Sequence, residues 1–277
     1  PPDMEHMEPQ LLAAFDRVPV LQNTGIQLFF CGPESFTPDG RAYMGPTADI
    51  AGLYVAAGFN SNGILSSGGA GKVMADWLID GLPPVSMGTL HAQRALPFQA
   101  NTRYVRERVA ESIGMHMTLH WPGHQVATAR GVRQFPMHDR LIAAGAVMGE
   151  RIGWEFPLYF ADAGAQLPHE PSLKRQAWFP MVERECLAAR DAALLIDQSC
   201  YGKLLVKGRD ALKALDHVSA NRIDVPVGQS VYTHWLNERG GIEADVTITR
   251  LADNEFMIVT GHPSQVRDLS LIHISEP

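Results

Sequence analysis

Only three cysteines, Cys31, Cys186 and Cys200, occur in 277 residues. Odd in number and widely spaced, they exclude a disulfide framework and fit a reducing compartment in which they serve as buried thiols. No run of Lys or Arg could neutralise a row of phosphates. With 23 basic and 30 acidic side chains the net charge is −7, which argues against a nucleic-acid partner. No apolar stretch reaches the ~20 residues that a membrane span needs. The opening "PPDMEHMEPQLLAAF" has neither a basic leader nor an apolar signal core, so neither membrane nor secretion is indicated and a cytoplasmic location is expected. Internal repeats and low-complexity linkers are also lacking. Hydrophobic residues at 45% and charged residues at 19% exclude a disordered chain and allow a sizeable core.

An initiator Met is missing too. The chain starts at Pro1 and at once enters an amphipathic pattern over residues 7–17, so it reads as a fragment with room for about two domains. Its last residues, 269–277, "LSLIHISEP", resemble translated sequencing-library adapter and are set aside as an expected artefact. On that reading the native protein continues past Asp268 with another sequence.

What is present alternates between strand and helix signals. "GIQLFFC" predicts a short strand, and Pro38-Asp39-Gly40 a turn. "GLYVAAGF" is apolar on both faces and predicts a fully buried strand. Residues 70–79 predict a helix that stops at Gly81 and Pro83-Pro84. A short helix and then a strand are expected within residues 104–125. Farther on come a helix over 182–193, the strand "GKLLVKG", the helix "RDALKALDHVSA", and strands over 230–236, 243–250 and 256–260. His116, His120 and His124 stand at i, i+4 and i+8, but Pro122 and Gly123 break the helix that would align them. No metal site is expected. Neither Cys186 nor Cys200 has a partner His fixed by the sequence, so neither is expected to be a nucleophile.

"GFNSNGILSSGGAGKVMADWLIDG", Gly58 to Gly81, runs from the second strand into the helix. It is not a phosphate-cradling P-loop. Counted back from Gly71-Lys72, the first glycine should fall where Ser66 stands, and Val73 occupies the hydroxyl position. Nor does it carry the dinucleotide fingerprint with its later acidic ribose ligand. Two alternatives remain open: a helix N-terminus offering N–H groups to an anionic or carbonyl-rich ligand, or glycines that merely allow close helix–strand packing.

"GPESFTPDG", "GLYVAAGFNSNGI" and "GGAGKVMADWLIDG" together resemble the C-terminal end of the flavin domain in glycine-oxidase-like amine oxidoreductases. "YVRERVAES", "ARGVRQFPMHDRL", "GERIGWEFPLYF" and "ECLAARDAALLIDQSCYGKLLVKGRDA" are similar to the sarcosine and dimethylglycine dehydrogenase family over essentially residues 1–268. The resemblance implies a multidomain α/β and α+β protein. Residues 1–84 would be the end of the FAD-dependent oxidoreductase domain, and 85–140 a connecting domain. Residues 141–268 would begin a glycine-cleavage aminomethyltransferase-like, folate-binding domain.

It also implies the chemistry. Hydride would pass from an N-methyl amino acid, sarcosine or dimethylglycine, to FAD, and tetrahydrofolate would capture the resulting iminium carbon. Gly58, Asn60, Ser61, Gly63, Gly68 and Gly69 would line the flavin or substrate side. "VYTHWLNERGGIEADVTITRL" resembles the folate module's signature, with Asp245 as the acid beside the folate nitrogen and Tyr232 as a folate-contacting aromatic. Asn-Glu-Arg-Gly-Gly predicts a hairpin that puts Asp245 on a β surface. "GGIEAD" places the resemblance nearer the sarcosine enzymes. Thr260-Gly261 departs from the family's Asn-Ala and bears on one folate contact. Further implications are an electron-acceptor flavoprotein as partner and, in a eukaryote, a mitochondrial matrix location. The alternatives kept are a folate-dependent aminomethyltransferase without redox activity, and a catalytically silent fragment.

Overall fold

The computed structural model describes residues 3–162 and 172–274. The chain divides into two compact units, one ending at Ser35 and the other beginning at Phe36. In the first, helix α1 (Met4–Arg17) is capped by Asp3, whose Oδ1 accepts from the His6 N–H at 2.9 Å. Glu5 in the first turn and Arg17 in the last complement the helix dipole. A 3-10 turn, Pro19–Asn23, follows. The strand expected from "GIQLFFC" does not form. Leu28 and Phe30 are 75% and 81% exposed, and no described strand pairs with them. An apolar run becomes a strand only where a neighbour takes its backbone hydrogen bonds. The thiols also differ from expectation, since Cys31 and Cys186 are exposed and Cys200 only partly covered.

The second unit opens with strands β1 (Tyr43–Pro46) and β2 (Tyr54–Ala57), an antiparallel ribbon. With only two strands it cannot cover both faces, so β2 is half open rather than fully buried. Helix α2 (Gly63–Asp80) packs on it and starts earlier than the expected residue 70. Ala42, Met44, Trp77 and Met87 form their shared core. The close approach is made at Gly45. Its φ is +104°, and a Cβ there would lie 2.3 Å from the Trp77 ring, so only glycine fits. Gly81, in the left-handed conformation at φ 74°, ends α2 as expected.

Helix α3 (Thr102–His116) is capped by Asn101, whose Oδ1 accepts from the N–H groups of Arg103 and Tyr104. The strand expected after it is absent; residues 117–137 are irregular. Helix α4 (His138–Ala143) leads into the hairpin β3 (Ala146–Arg151) and β4 (Trp154–Phe160). Two ion pairs fasten this hairpin to the preceding segment. Arg108 Nη1 donates to Glu150 at 2.8 Å, and Arg130 Nε donates to Glu155 at 2.7 Å. Arg108 and Glu155 are each 4% exposed. Charges so buried are tolerated only when paired.

Helix α5 (Phe179–Asp191), strand β5 (Gly202–Lys207) and helix α6 (Ala211–Val218) come next. Strands β6 (Ser230–Leu236), β7 (Ile242–Ala252) and β8 (Glu255–Thr260) and helix α7 (Gln265–Ile274) complete the unit. The four strands form an antiparallel sheet in the order β5-β8-β7-β6. Alternation sorts their side chains. Trp235, Val246, Ile248, Phe256 and Ile258, each at most 1% exposed, face inward onto Ala211, Leu215 and Ile223. The opposite face carries Tyr232, Asp245 and Leu205 and is exposed. Helix α7 continues into the residues set aside above as adapter-like.

Candidate functional site

The β6–β7 hairpin positions the first site. Asn237 N–H donates to the Gly241 carbonyl at 2.9 Å, Gly240 N–H returns to the Asn237 carbonyl at 2.9 Å, and Gly240 adopts φ 75°. This closure fixes the register in which Asp245 lies directly across from His234. Tyr232 and His234, two residues apart, share Asp245's outer face. The Tyr232 hydroxyl lies 3.4 Å from Asp245 Oδ2 and 3.4 Å from His234 Nε2. The two rings meet edge to face with centroids 5.4 Å apart. A carboxylate, a phenol and an imidazole thus stand together on an open β surface.

His234 was not among the residues picked out from the sequence. The signal was there: period two from Tyr232, and pairing across a predicted hairpin with Asp245. Thr260, noted as a departure, points the other way. It is 2% exposed, and its hydroxyl hydrogen-bonds Asp268 Oδ2 on the inner side. Asp268 is fully buried, and burial is the main reason its carboxyl is held above the usual range. Thr260 is therefore engaged in packing, not presented beside Asp245.

The second candidate region is the turn before α2. Gly58 has φ +68°, and a Cβ there would lie 2.5 Å from Thr37 Cγ2. Asn60 and Ser61 follow in the left-handed region at 52° and 64°, a rare conformation for non-glycine residues. Asn60 holds them there. Its Oδ1 accepts from the Thr37 N–H at 2.8 Å, its Nδ2 donates to the Gly58 carbonyl, and it is 2% exposed. Its amide is used up inside the turn, which makes Asn60 a positioning residue rather than one lining a ligand.

Gly63 is the first residue of α2, and no side chain caps this helix end. Gly68 and Gly69 lie inside the helix, not in the loop as expected, so their N–H groups belong to the helical ladder. Nothing lies within 4 Å of a Cβ added at either. The close-packing role proposed for these glycines falls to Gly45 instead. What Gly68 and Gly69 provide is a bare strip of helix surface.

Between the two regions, the Arg239 side chain at the hairpin tip pairs with Asp80 at the end of α2, at 3.1 Å. His91 sits close by, against the Trp77 ring at 5.2 Å between centroids. Burial first, and then the Arg267 charge, lower its pKa to about 4. Among the described residues no cluster of three or more metal-ligating side chains occurs, and no helix there is long and apolar enough to cross a membrane.

Comparison with known protein families separates these regions in the same order. Residues 137–276 match the GCVT N-terminal domain. The chain belongs to that family. Ahead of it, residues 80–134 match the FAD dependent oxidoreductase central domain and residues 1–77 the FAD dependent oxidoreductase family. This GCVT-family chain is thus multidomain and mixed in helix and sheet. It is similar to 4-methylaminobutanoate oxidase (formaldehyde-forming) of Paenarthrobacter nicotinovorans, 40% identical over 94% of the chain and 31% of the relative. Mouse mitochondrial sarcosine dehydrogenase is 36% identical over 90% of the chain and 29% of the relative. Mouse mitochondrial pyruvate dehydrogenase phosphatase regulatory subunit is 35% identical over 95% of the chain and 31% of the relative. The chain spans about a third of the length of these relatives.

Proposed function

We propose that this chain is the junction of an FAD-dependent enzyme that oxidatively demethylates an N-methyl amino acid and passes the one-carbon unit to tetrahydrofolate. One observation carries the proposal: the open Asp245–Tyr232–His234 cluster lies in a GCVT-family region that follows two FAD-oxidoreductase regions in order. The residues suit both groups. A carboxylate beside a phenol on a β surface can accept from the N–H groups of a flat heterocycle and stack against it. A bare glycine strip on α2, beside a turn locked by Asn60, allows a planar ring to approach the helix closely.

When bound, FAD would supply the hydride acceptor and tetrahydrofolate the one-carbon acceptor. Asp245 would orient the folate ring through its carboxylate, whose Oδ2 accepts from the Tyr232 hydroxyl. His234, directly across from Asp245, would be the imidazole beside that carboxylate for proton transfer. Gly58, Ser61 and Gly63 shape the flavin-side turn, Asn60 fixes it, and Gly68 and Gly69 clear the helix face. Relatives named for sarcosine, dimethylglycine and 4-methylaminobutanoate support a substrate class of small N-methylated amino acids. An electron-acceptor flavoprotein and, in a eukaryote, the mitochondrial matrix belong to the same reading.

The similarity to a protein named as a regulatory subunit favours one second reading, a chain of this architecture with no catalysis of its own. The test is anaerobic titration of a protein extended upstream by its flavin domain. Bleaching of the flavin absorbance by sarcosine, dimethylglycine or 4-methylaminobutanoate is expected. Flavin-free protein, or bound flavin that none of the three reduces, would favour the silent reading.

A further inference from the structure

Away from both regions, β4, the end of β3, the segment 194–201 and His262 enclose a cavity of about 460 Å³, a size typical of small-molecule sites. Trp154, Phe156 and Tyr159 furnish aromatic walls. Leu194, Leu195 and Tyr201, exposed at 49%, 92% and 41%, form an apolar rim. Its polar groups are of both signs. Arg151 and His262 line it on one hand, Asp197 and Glu185 on the other. The guanidinium of Arg133 lies 4.2 Å over the Trp154 ring.

Several of these groups are incompletely satisfied. Trp154 Nε1, Arg133 Nη1, His262 Nε2 and Asp197 Oδ2 are buried, and none has a hydrogen-bond partner among the described residues. An unpartnered buried polar group is costly to leave so. Three of these, on Trp154, His262 and Asp197, line the cavity, donors as well as an acceptor, and are what a bound polar molecule would satisfy. Asp197 keeps its other oxygen on the Ser199 N–H at 2.9 Å, so its carboxylate is held in place with one oxygen to offer. Burial, with the Arg151 and Arg133 charges, lowers the His262 pKa and so favours the neutral imidazole.

We propose that this cavity binds a zwitterionic free amino acid with an apolar side chain. Its ammonium would meet Asp197 Oδ2, its carboxylate the Arg151, His262 and Trp154 side, and its apolar body the aromatic walls. An anion without an amine would leave Asp197 unpartnered, and an amine without a carboxylate would leave the donors so. The site is independent of the folate and flavin reading, since Asp245, Tyr232 and the turn before α2 take no part in it.

The test is titration of the full chain with L-phenylalanine, 3-phenylpropanoate and 2-phenylethylamine, followed by the Trp154 indole N–H resonance. L-Phenylalanine is expected to bind at least about tenfold tighter than either partial analogue, a difference of about 1.4 kcal/mol. Asp197→Asn should remove its advantage over 3-phenylpropanoate, and Arg151→Gln its advantage over 2-phenylethylamine. Arg151 is exposed, so the second variant keeps the test informative should the first fail to fold. Equal affinity for all three probes, or no saturable binding at 10 mM, a ceiling set at about 2.7 kcal/mol of affinity, would overturn the proposal.

Discussion

The four-stranded sheet and the β1–β2 ribbon both carry a helix, yet they finish differently. Behind the sheet, Leu215, Phe256 and Ile258 are completely buried, and only the outer face, with Asp245 and Tyr232, is open. On the ribbon side, Trp77 anchors a small core while Ile64 and Leu65 at the start of α2 are 95% and 85% exposed. A sheet of four strands plus α6 closes one face completely and leaves the other for chemistry. Two strands and one helix close a patch around Trp77 and no more. The lesson is that the sheet region can stand by its own core, whereas the ribbon depends on Gly45, Trp77 and the joints that tie it down.

Phe256→Ala should break the comparison hardest. Removing a fully buried aromatic ring costs about 3–5 kcal/mol, so the main thermal transition should fall steeply or vanish. Trp77→Ala should instead expose the ribbon to proteolysis while the sheet's amides stay protected from hydrogen exchange. One merged loss in both variants would show that the regions are not separable.

The joint at His91 should respond to pH. Its pKa is lowered from 6.5 to about 4, so the fold prefers the neutral ring. The stability it adds is complete above about pH 6.5 and is lost as pH falls through about 4, at most about 3 kcal/mol. His91→Gln should flatten that limb of a denaturation-against-pH profile. An unchanged slope would place the acid sensitivity elsewhere. Smallest of all, Ile64→Asp and Leu65→Asp should shift stability by no more than about 0.5 kcal/mol, against the collapse expected for Val246→Asp in β7. A large loss from either α2 variant would mean that the helix face is covered in solution.

Much of the sheet was legible in the sequence. The alternation in "SVYTHWL" predicts β6 to its ends, Ser230–Leu236, and "NERGG" announces its turn. That legibility put Asp245 and Tyr232 on one surface. It did not single out His234, because cross-strand pairing is a property of register rather than of either strand alone. Local propensity misled in the glycine stretch. Gly68 and Gly69 read as loop, but packing of Val73, Met74 and Trp77 carries the helix through them. The decisive glycine, Gly45, is visible only once Trp77 is placed against it. Apolar content likewise overstated residues 25–31 as a strand, since no pattern reveals that a partner strand is absent.

The central claim is that the open sheet face around Asp245 is a folate site. It is tested most directly by calorimetric titration of the folded chain with tetrahydrofolate, comparing wild type with Asp245→Ala. Asp245 is exposed, so the variant should fold as well as the parent. The account predicts saturable binding that the substitution weakens about tenfold or more, at least about 1.4 kcal/mol. Equal affinity in the two proteins, or no binding by a chain shown to be folded, would contradict it.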